Sequence, residues 1–310
     1  MKFGLIFPGQ GSQAVGMGKD LYENSKEVRE LFEQASEILK EDMKALCFSE
    51  NTKLNLTQYT QPAILLISYA AYSLVIPKIA SKVALGLGHS LGEFSALCAS
   101  GALDFSKAIA LVHKRGLLME AACKDKEAGM MVVLGLEDSI LEEFCNKKRN
   151  LGLKVWCANY NGEGQIVLAG VKADLIDLEV ELKGMGAKRV LLLPMSVASH
   201  CPLLESMCED FKALLKEDLN EQFIFPIISN VNAQKYDNKE QSLELLSKQL
   251  ISPVLYKQSI RNFEGEVDYF LECGGNVLKG LNKRLSQKET LSLQKYQEIM
   301  DFLQKDFKDF

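Results

Sequence analysis

The stretch from Lys82 to Gly101, K-V-A-L-G-L-G-H-S-L-G-E-F-S-A-L-C-A-S-G, constrains this chain more than any other. Val83 to Leu87 is a short apolar run that reads as a buried strand. Gly88-His89-Ser90-Leu91-Gly92 follows as G-x-S-x-G, and a helical pattern starts at Glu93. Strand, tight turn and helix in that order are the setting of a nucleophile elbow, which lifts a serine to the end of a strand. The flanking glycines are needed because a side chain there would strike the neighbouring strand and helix. The backbone N–H of Leu91 then points at a carbonyl oxygen under attack. The helix N-terminus adds positive potential for the developing oxyanion. The pentapeptide alone arises often by chance; its strand and helix favour a nucleophile over an incidental serine.

The remaining composition narrows the class. With 310 residues, 47% of them hydrophobic, the chain can build one large domain or a large and a small one. The net charge of −5 is spread over mixed signs, with no basic tract for nucleic acid and no acidic tail. The apolar run before Pro8 is too short for a signal-peptide core, and Ala63 to Ile76, bracketed by Pro62 and Pro77, is too short to span a bilayer. It reads as a buried helix, with Pro62 at its first position. Eight scattered cysteines without a C-x-x-C pair suit a reducing cytoplasm.

Taken in order, Lys2–Phe7 is a strand leading into a glycine-rich loop, Gly9 to Gly18. The loop fits neither nucleotide-binding glycine pattern, yet its backbone N–H groups are what a second oxyanion donor would need. Leu21–Leu46 is amphipathic and helical, Leu56–Pro62 a polar loop, and Phe105–Ala122 a further helix. From residue 127 to 195 the texture becomes βαββαβ: strands at Met130–Leu136, Val155–Tyr160, Gln165–Ala169 and Arg189–Met195, helices at Asp138–Lys148 and Ala173–Met185. That is the order of a ferredoxin-like unit. The expected fold is therefore α/β, with a discontinuous large domain (1–126 and 196–310) and an inserted small domain (127–195). Later elements include a strand at Phe223–Ile228, helices at Ser242–Leu250 and Val254–Asn262, a strand at Val267–Glu272, and a terminal helix at Tyr296–Phe307.

A serine nucleophile needs a base, and the chain has three histidines. His89 adjoins Ser90 and leaves the turn on another side. His113 sits in an apolar helical pattern and reads as a packing histidine. His200 opens a loop after a strand, where α/β enzymes keep site residues, and by elimination is the base. Arg115, 25 residues after Ser90, is either an ordinary ion-paired arginine or, if it faces the site, a bidentate clamp for a carboxylate. No metal-ligand cluster is visible.

The chain resembles the malonyl-CoA:acyl carrier protein transacylases of fatty-acid synthesis. The matching pieces are F-P-G-Q-G-S-Q at Phe7–Gln13, Y-T-Q-P-A at Tyr59–Ala63, G-H-S-L-G-E at Gly88–Glu93 and R-G at Arg115–Gly116. Further pieces are A-N-Y-N at Ala158–Asn161, S-H-x-P at Ser199–Pro202, I-S-N-V at Ile228–Val231, Q-L-x-x-P-V at Gln249–Val254 and V-L-x-G-L at Val277–Leu281. They span nearly the whole chain in the family's order. The resemblance implies an α/β-hydrolase-like large domain with a ferredoxin-like insertion. It implies transfer of malonyl from malonyl-CoA to the phosphopantetheine thiol of acyl carrier protein through a malonyl-Ser90 intermediate. His200 is then the base, Gln10 and Leu91 hold the oxyanion through backbone N–H groups, and Arg115 binds the malonyl carboxylate with support from Gln61. Gln249 orients His200 through its main-chain carbonyl. No cofactor, nucleic acid or membrane is implied, and a cytoplasmic monomer is expected. Asn161 and Asn230 shape the cleft without an assigned role.

One residue departs from the family pattern in a way that bears on substrate. Ser199 stands where many malonyl-specific relatives have Phe, which leaves room for a methyl and predicts some tolerance of methylmalonyl. The alternative activity is a serine esterase or thioesterase, which would share Ser90 and His200; Arg115 and the lack of an H-G-G-G loop argue against it.

Overall fold

A computed structural model describes residues 1–305. The chain opens with strand β1 (Phe3–Phe7), helices α1 (Lys19–Asn24), α2 (Lys26–Leu39), α3 (Met43–Phe48) and α4 (Thr57–Ile79), then β2 (Val83–Gly88), α5 (Leu91–Ala99) and α6 (Phe105–Cys123). A second group follows: β3 (Ala128–Leu134), α7 (Asp138–Asn150), β4 (Val155–Gly162), β5 (Gln165–Val171), α8 (Lys172–Asp177), α9 (Glu179–Gly184) and β6 (Arg189–Leu192). The chain then runs through α10 (Cys208–Asp218), the short strands β7 (Ile227–Ile228) and β8 (Lys235–Tyr236), α11 (Lys239–Gln249) and α12 (Tyr256–Phe263). It closes with β9 (Tyr269–Cys273), α13 (Val277–Asn282), β10 (Glu289–Leu293) and α14 (Tyr296–Gln304). The expected extension of the last helix to Phe307 lies partly outside the described residues.

Two sheets organise these elements. The larger is mixed, in the order β10-β9-β1-β2-β7-β8, with only the β7–β8 pair antiparallel. β1 lies near its centre and is buried at every position, as a parallel strand covered on both faces must be. The smaller sheet is wholly antiparallel, in the order β4-β5-β3-β6. Its strands alternate by period two. Met131, Val133, Ile166 and Leu168 pack into a core of their own with Leu141 and Phe144 of α7. Met130, Val132, Val167 and Ala169 face the main core instead. The sheets are tied where Asn159 bridges Val254, and by Lys257 of α12, which pairs with Asp138 and Glu163.

Several elements differ from the sequence expectation, each for a local reason. The single helix expected over Leu21–Leu46 is broken twice. Ser25 turns extended (φ −129°) and its Oγ accepts the Val28 N–H, which starts α2; Lys40 is left-handed (φ 53°) and Asp42 caps α3. The helix expected over Ala173–Met185 divides at Leu178 into α8 and α9. The strand expected over Phe223–Ile228 shrinks to two residues, Ile227 and Ile228. No element was expected at β10, whose alternating polar residues suit a half-covered edge strand.

The loop expected over Leu56–Pro62 is the first turns of α4, so Pro62 is not at the first helical position but its sixth residue. Proline has no N–H to give the carbonyl four residues back, which is that of Gln58. His113 of α6 supplies the missing donor, its Nδ1 lying 2.7 Å from Gln58 O. The expected packing role of His113 thus has a specific cause. Thr57–Lys82 is long and apolar enough to cross a membrane by length and composition. Here it packs against α5, α6, α14 and β9 as an interior helix.

Candidate active site

Ser90 sits between β2 and α5 at φ 53° and ψ −104°, a strained conformation for a residue with a side chain. Its neighbours permit it. A Cβ on Gly88 would lie 1.8 Å from Gly92 C, and one on Gly92 would lie 2.0 Å from Phe7 O. The α5 helix starts at Leu91, two residues earlier than expected, so the Leu91 N–H is in its first turn and has no intrahelical acceptor. The Ser90 N–H is already taken by Asn230 Oδ1 at 2.7 Å, while Asn230 Nδ2 donates to Gly88 O at 2.7 Å. Asn230 therefore clamps both sides of the elbow.

His200 lies 2% exposed with Nε2 2.7 Å from Ser90 Oγ and Nδ1 2.7 Å from Gln249 O. A carbonyl only accepts, so Nδ1 carries the proton, and the Nε2 lone pair faces the serine hydroxyl. Burial, and then the positive charge of Arg115, push the His200 pKa down to about 3. The imidazole is neutral at physiological pH and able to take a proton from Ser90.

Arg115 is 1% exposed and lines the cavity with Ser90, so it is not a surface arginine. Nη1 donates to Gln61 Oε1 at 2.8 Å, and Nη2 to Gln249 Oε1 at 3.1 Å. Nη2 also lies 3.4 Å from Ser90 Oγ. The buried Nε has no partner among the described residues, and the guanidinium lies 5.2 Å from the centroid of the Phe94 ring. Burial lowers its pKa to about 10, which leaves it a cation at neutral pH. A fixed cation this close to the nucleophile can receive an anionic group of an acyl chain bound there.

Gln10, Gln61, Leu91, Arg115 and His200 line one cavity with Ser90, of ≈ 200 Å³. Met130, Val132, Val167 and Leu193 of the second sheet supply its opposite wall. All the expected site residues therefore converge here, with Gln249 behind the cavity. His89 also lines it, without bonding the serine hydroxyl: its Nε2 is 2.7 Å from Asn161 Oδ1. Cys201 is buried, as a spectator thiol would be. Of eight cysteines only Cys208 is not fully buried.

Glu93 is the residue that sequence reasoning passed over. It is fully buried beneath the elbow. Its Oε2 accepts the Asn230 N–H (3.1 Å) and Gln249 Nε2 (2.8 Å), and its Oε1 accepts Tyr236 OH (2.8 Å). Burial raises its pKa to about 7, against the opposing pull of these donors and of Arg115. The signal was present, because α5 is apolar on every side and an acid in such a helix must find buried partners.

A mixed α/β sheet carrying a strained serine, a neutral histidine and a buried arginine defines an acyl-transferring enzyme, and the acyl transferase domain family matches residues 5–306. Within that class, the chain belongs to the malonyl CoA-acyl carrier protein transacylase family. The malonyl CoA-acyl carrier protein transacylase of Staphylococcus aureus is 36% identical over 312 residues, 98% of this chain and 99% of the relative. That of Bacillus subtilis is 38% identical over 297 residues, 93% and 91% of the two chains. The crystal structure of malonyl-CoA:acyl carrier protein transacylase from Helicobacter pylori superposes with a TM-score of 0.94 at 50% identity, covering 98% of this chain and 97% of that one. A malonyl-transacylase solved in complex with a type II PKS acyl-carrier protein also gives 0.94, at 34% identity and with 99% and 100% coverage.

Proposed function

We propose that this chain transfers malonyl from malonyl-CoA to the phosphopantetheine thiol of acyl carrier protein, through a malonyl ester of Ser90. The observation that carries the reading is the placing of the Arg115 guanidinium 3.4 Å from a serine hydroxyl that is itself 2.7 Å from a neutral histidine nitrogen. The malonyl carboxylate pairs with Arg115, held from behind by Gln61 and Gln249. Ser90 Oγ attacks the thioester carbon as its proton passes to His200 Nε2. The tetrahedral oxyanion is stabilised by the N–H groups of Leu91 and Gln10. The C–S bond breaks, and the leaving thiolate of coenzyme A takes the proton from His200. The carrier thiol then enters, gives its proton to His200 and attacks the acyl-serine carbon; the C–Oγ bond breaks, and His200 returns the proton to Ser90 Oγ.

His200 Nδ1 donates to a neutral carbonyl rather than to a carboxylate. That stabilises the imidazolium less than an aspartate would, and so disfavours activation of water over a more acidic thiol. This supports transfer over hydrolysis, and the family relatives likewise favour transacylase over esterase. The second sheet, with its βαββαβ order, is read as a ferredoxin-like small domain (127–195) inserted in an α/β-hydrolase-like large domain (1–126 and 196–310). Scattered cysteines, seven of the eight buried as small apolar groups, are read as suited to a reducing cytoplasm.

Intact-protein mass after mixing with malonyl-CoA tests the reading. Wild type should gain one malonyl group, and Ser90→Ala none. Consumption of malonyl-CoA by wild type with no adduct would mean that water outruns the thiol, and the hydrolase reading would take over.

A further inference from the structure

Ser90, His200 and Arg115 all meet Gln249. Its main-chain carbonyl holds His200 Nδ1, its Oε1 accepts from Arg115 Nη2, and its Nε2 donates to Ser90 O at 3.1 Å. A glutamine amide can be turned over by half a rotation, exchanging donor for acceptor at nearly the same shape. Turned over, it would present NH2 to the Arg115 guanidinium, and the arginine would lose one of its two amide supports. What surrounds the amide therefore decides where the guanidinium rests.

We infer that Glu93 is a positioning residue: Oε2 of its buried carboxylate, the shorter of two acceptors beside Ser90 O, admits only the NH2 side of Gln249, and so secures the amide orientation that holds Arg115 against Ser90. The inference rests on the transacylase reading above, in which Arg115 selects donors bearing a free carboxylate. Oε2 is itself held in place, because it also receives the Asn230 N–H, while Oε1 is fixed by Tyr236 OH. Asn230 is the residue that clamps the elbow. One side chain thus references the carboxylate clamp to the same frame as the nucleophile. Glu93 faces away from the cavity behind Gln249 and touches no reacting atom. Its effect must pass through the amide.

The requirement is for an acceptor at the Oε2 position, not for a charge, and this separates two variants. Glu93→Gln can keep an oxygen towards Gln249 and Asn230 and turn its NH2 to Tyr236 Oη. It also removes an anion that competes for Arg115. Glu93→Met fills similar space with no acceptor, which leaves Ser90 O as the single, longer hold on that NH2 and loosens the amide.

The test is the ratio of malonyl to acetyl loading rates on Ser90, read by intact mass from malonyl-CoA and acetyl-CoA, with thermal unfolding in parallel. Acetyl has no carboxylate and does not use the clamp. Glu93→Met should narrow the ratio about tenfold, the usual worth of a lost hydrogen bond to a charged group. Glu93→Gln should keep the ratio at or above wild type. In a Gln249→Ala background, Glu93→Met should have no further effect on the ratio. If Glu93→Met does not fold, Glu93→Asp, which draws the acceptor back by one methylene, should show the same narrowing. Slowing of both donors in proportion would make Glu93 merely structural and overturn the inference, as would collapse of the ratio in Glu93→Gln. A wild type that loads both donors equally would instead overturn the clamp reading on which the inference stands.

Discussion

The state of His200 predicts an unusual pH profile for the first half-reaction. Its pKa of about 3 comes first from burial and second from the positive charge of Arg115. A histidine at the ordinary value of 6.5 would be only about 3% neutral at pH 5, whereas one near 3 is about 99% neutral. Acylation of Ser90 should therefore be nearly flat from pH 8 down to about pH 5, with its acid limb only below that. Removing the charge by Arg115→Met lifts the second cause and should move the acid limb upward. The assay is rapid-quench intact mass over that range, with malonyl-CoA for wild type and acetyl-CoA for Arg115→Met, since the variant lacks the clamp. A wild-type limb centred near pH 6.5 would mean that His200 is solvated as a free imidazole, and would refute the argument from burial. An unmoved limb in Arg115→Met would refute the electrostatic part alone.

Three other outcomes follow from particular contacts. Gly92→Ala places a Cβ 2.0 Å from Phe7 O, so it should abolish Ser90 loading and lower the unfolding temperature, read by intact mass and calorimetry. His113→Ala leaves Gln58 O without its donor and should destabilise the fold by about 1–3 kcal/mol in denaturant titration while sparing malonyl loading. Ser199 lines the cavity, so wild type should load methylmalonyl from methylmalonyl-CoA, and Ser199→Phe should reduce that loading by about tenfold or more relative to malonyl. Equal loading of the two donors' ratio in both proteins would remove Ser199 from substrate choice.

Much of this protein was determined by local sequence. The elbow was legible because strand, G-x-S-x-G and helix are neighbours, though the close approach that demands Gly92 is to Phe7 O of β1. The second sheet was legible because period-two strands and turn glycines alternate over a short span. Boundaries were less so: Ser25 and Leu178 interrupt helices whose apolar spacing runs straight through them. Pro62 misled because a proline reads as a helix start, while the donor that lets it sit inside α4 is His113, 51 residues on. Only tertiary structure decided the rest. Whether Arg115 was a surface charge or faced the serine depended on burial against Gln61 and Gln249, which no spacing reveals. The tautomer of His200 came from a carbonyl 49 residues away, and its low basicity from burial and then from an arginine on α6. Glu93 and Asn230 acquired roles only when β7 and α11 closed beneath the elbow. Hydrogen bonds and charges act over a few ångströms in space and are indifferent to separation along the chain. The residues that tune the site are therefore the ones that sequence neighbours cannot disclose.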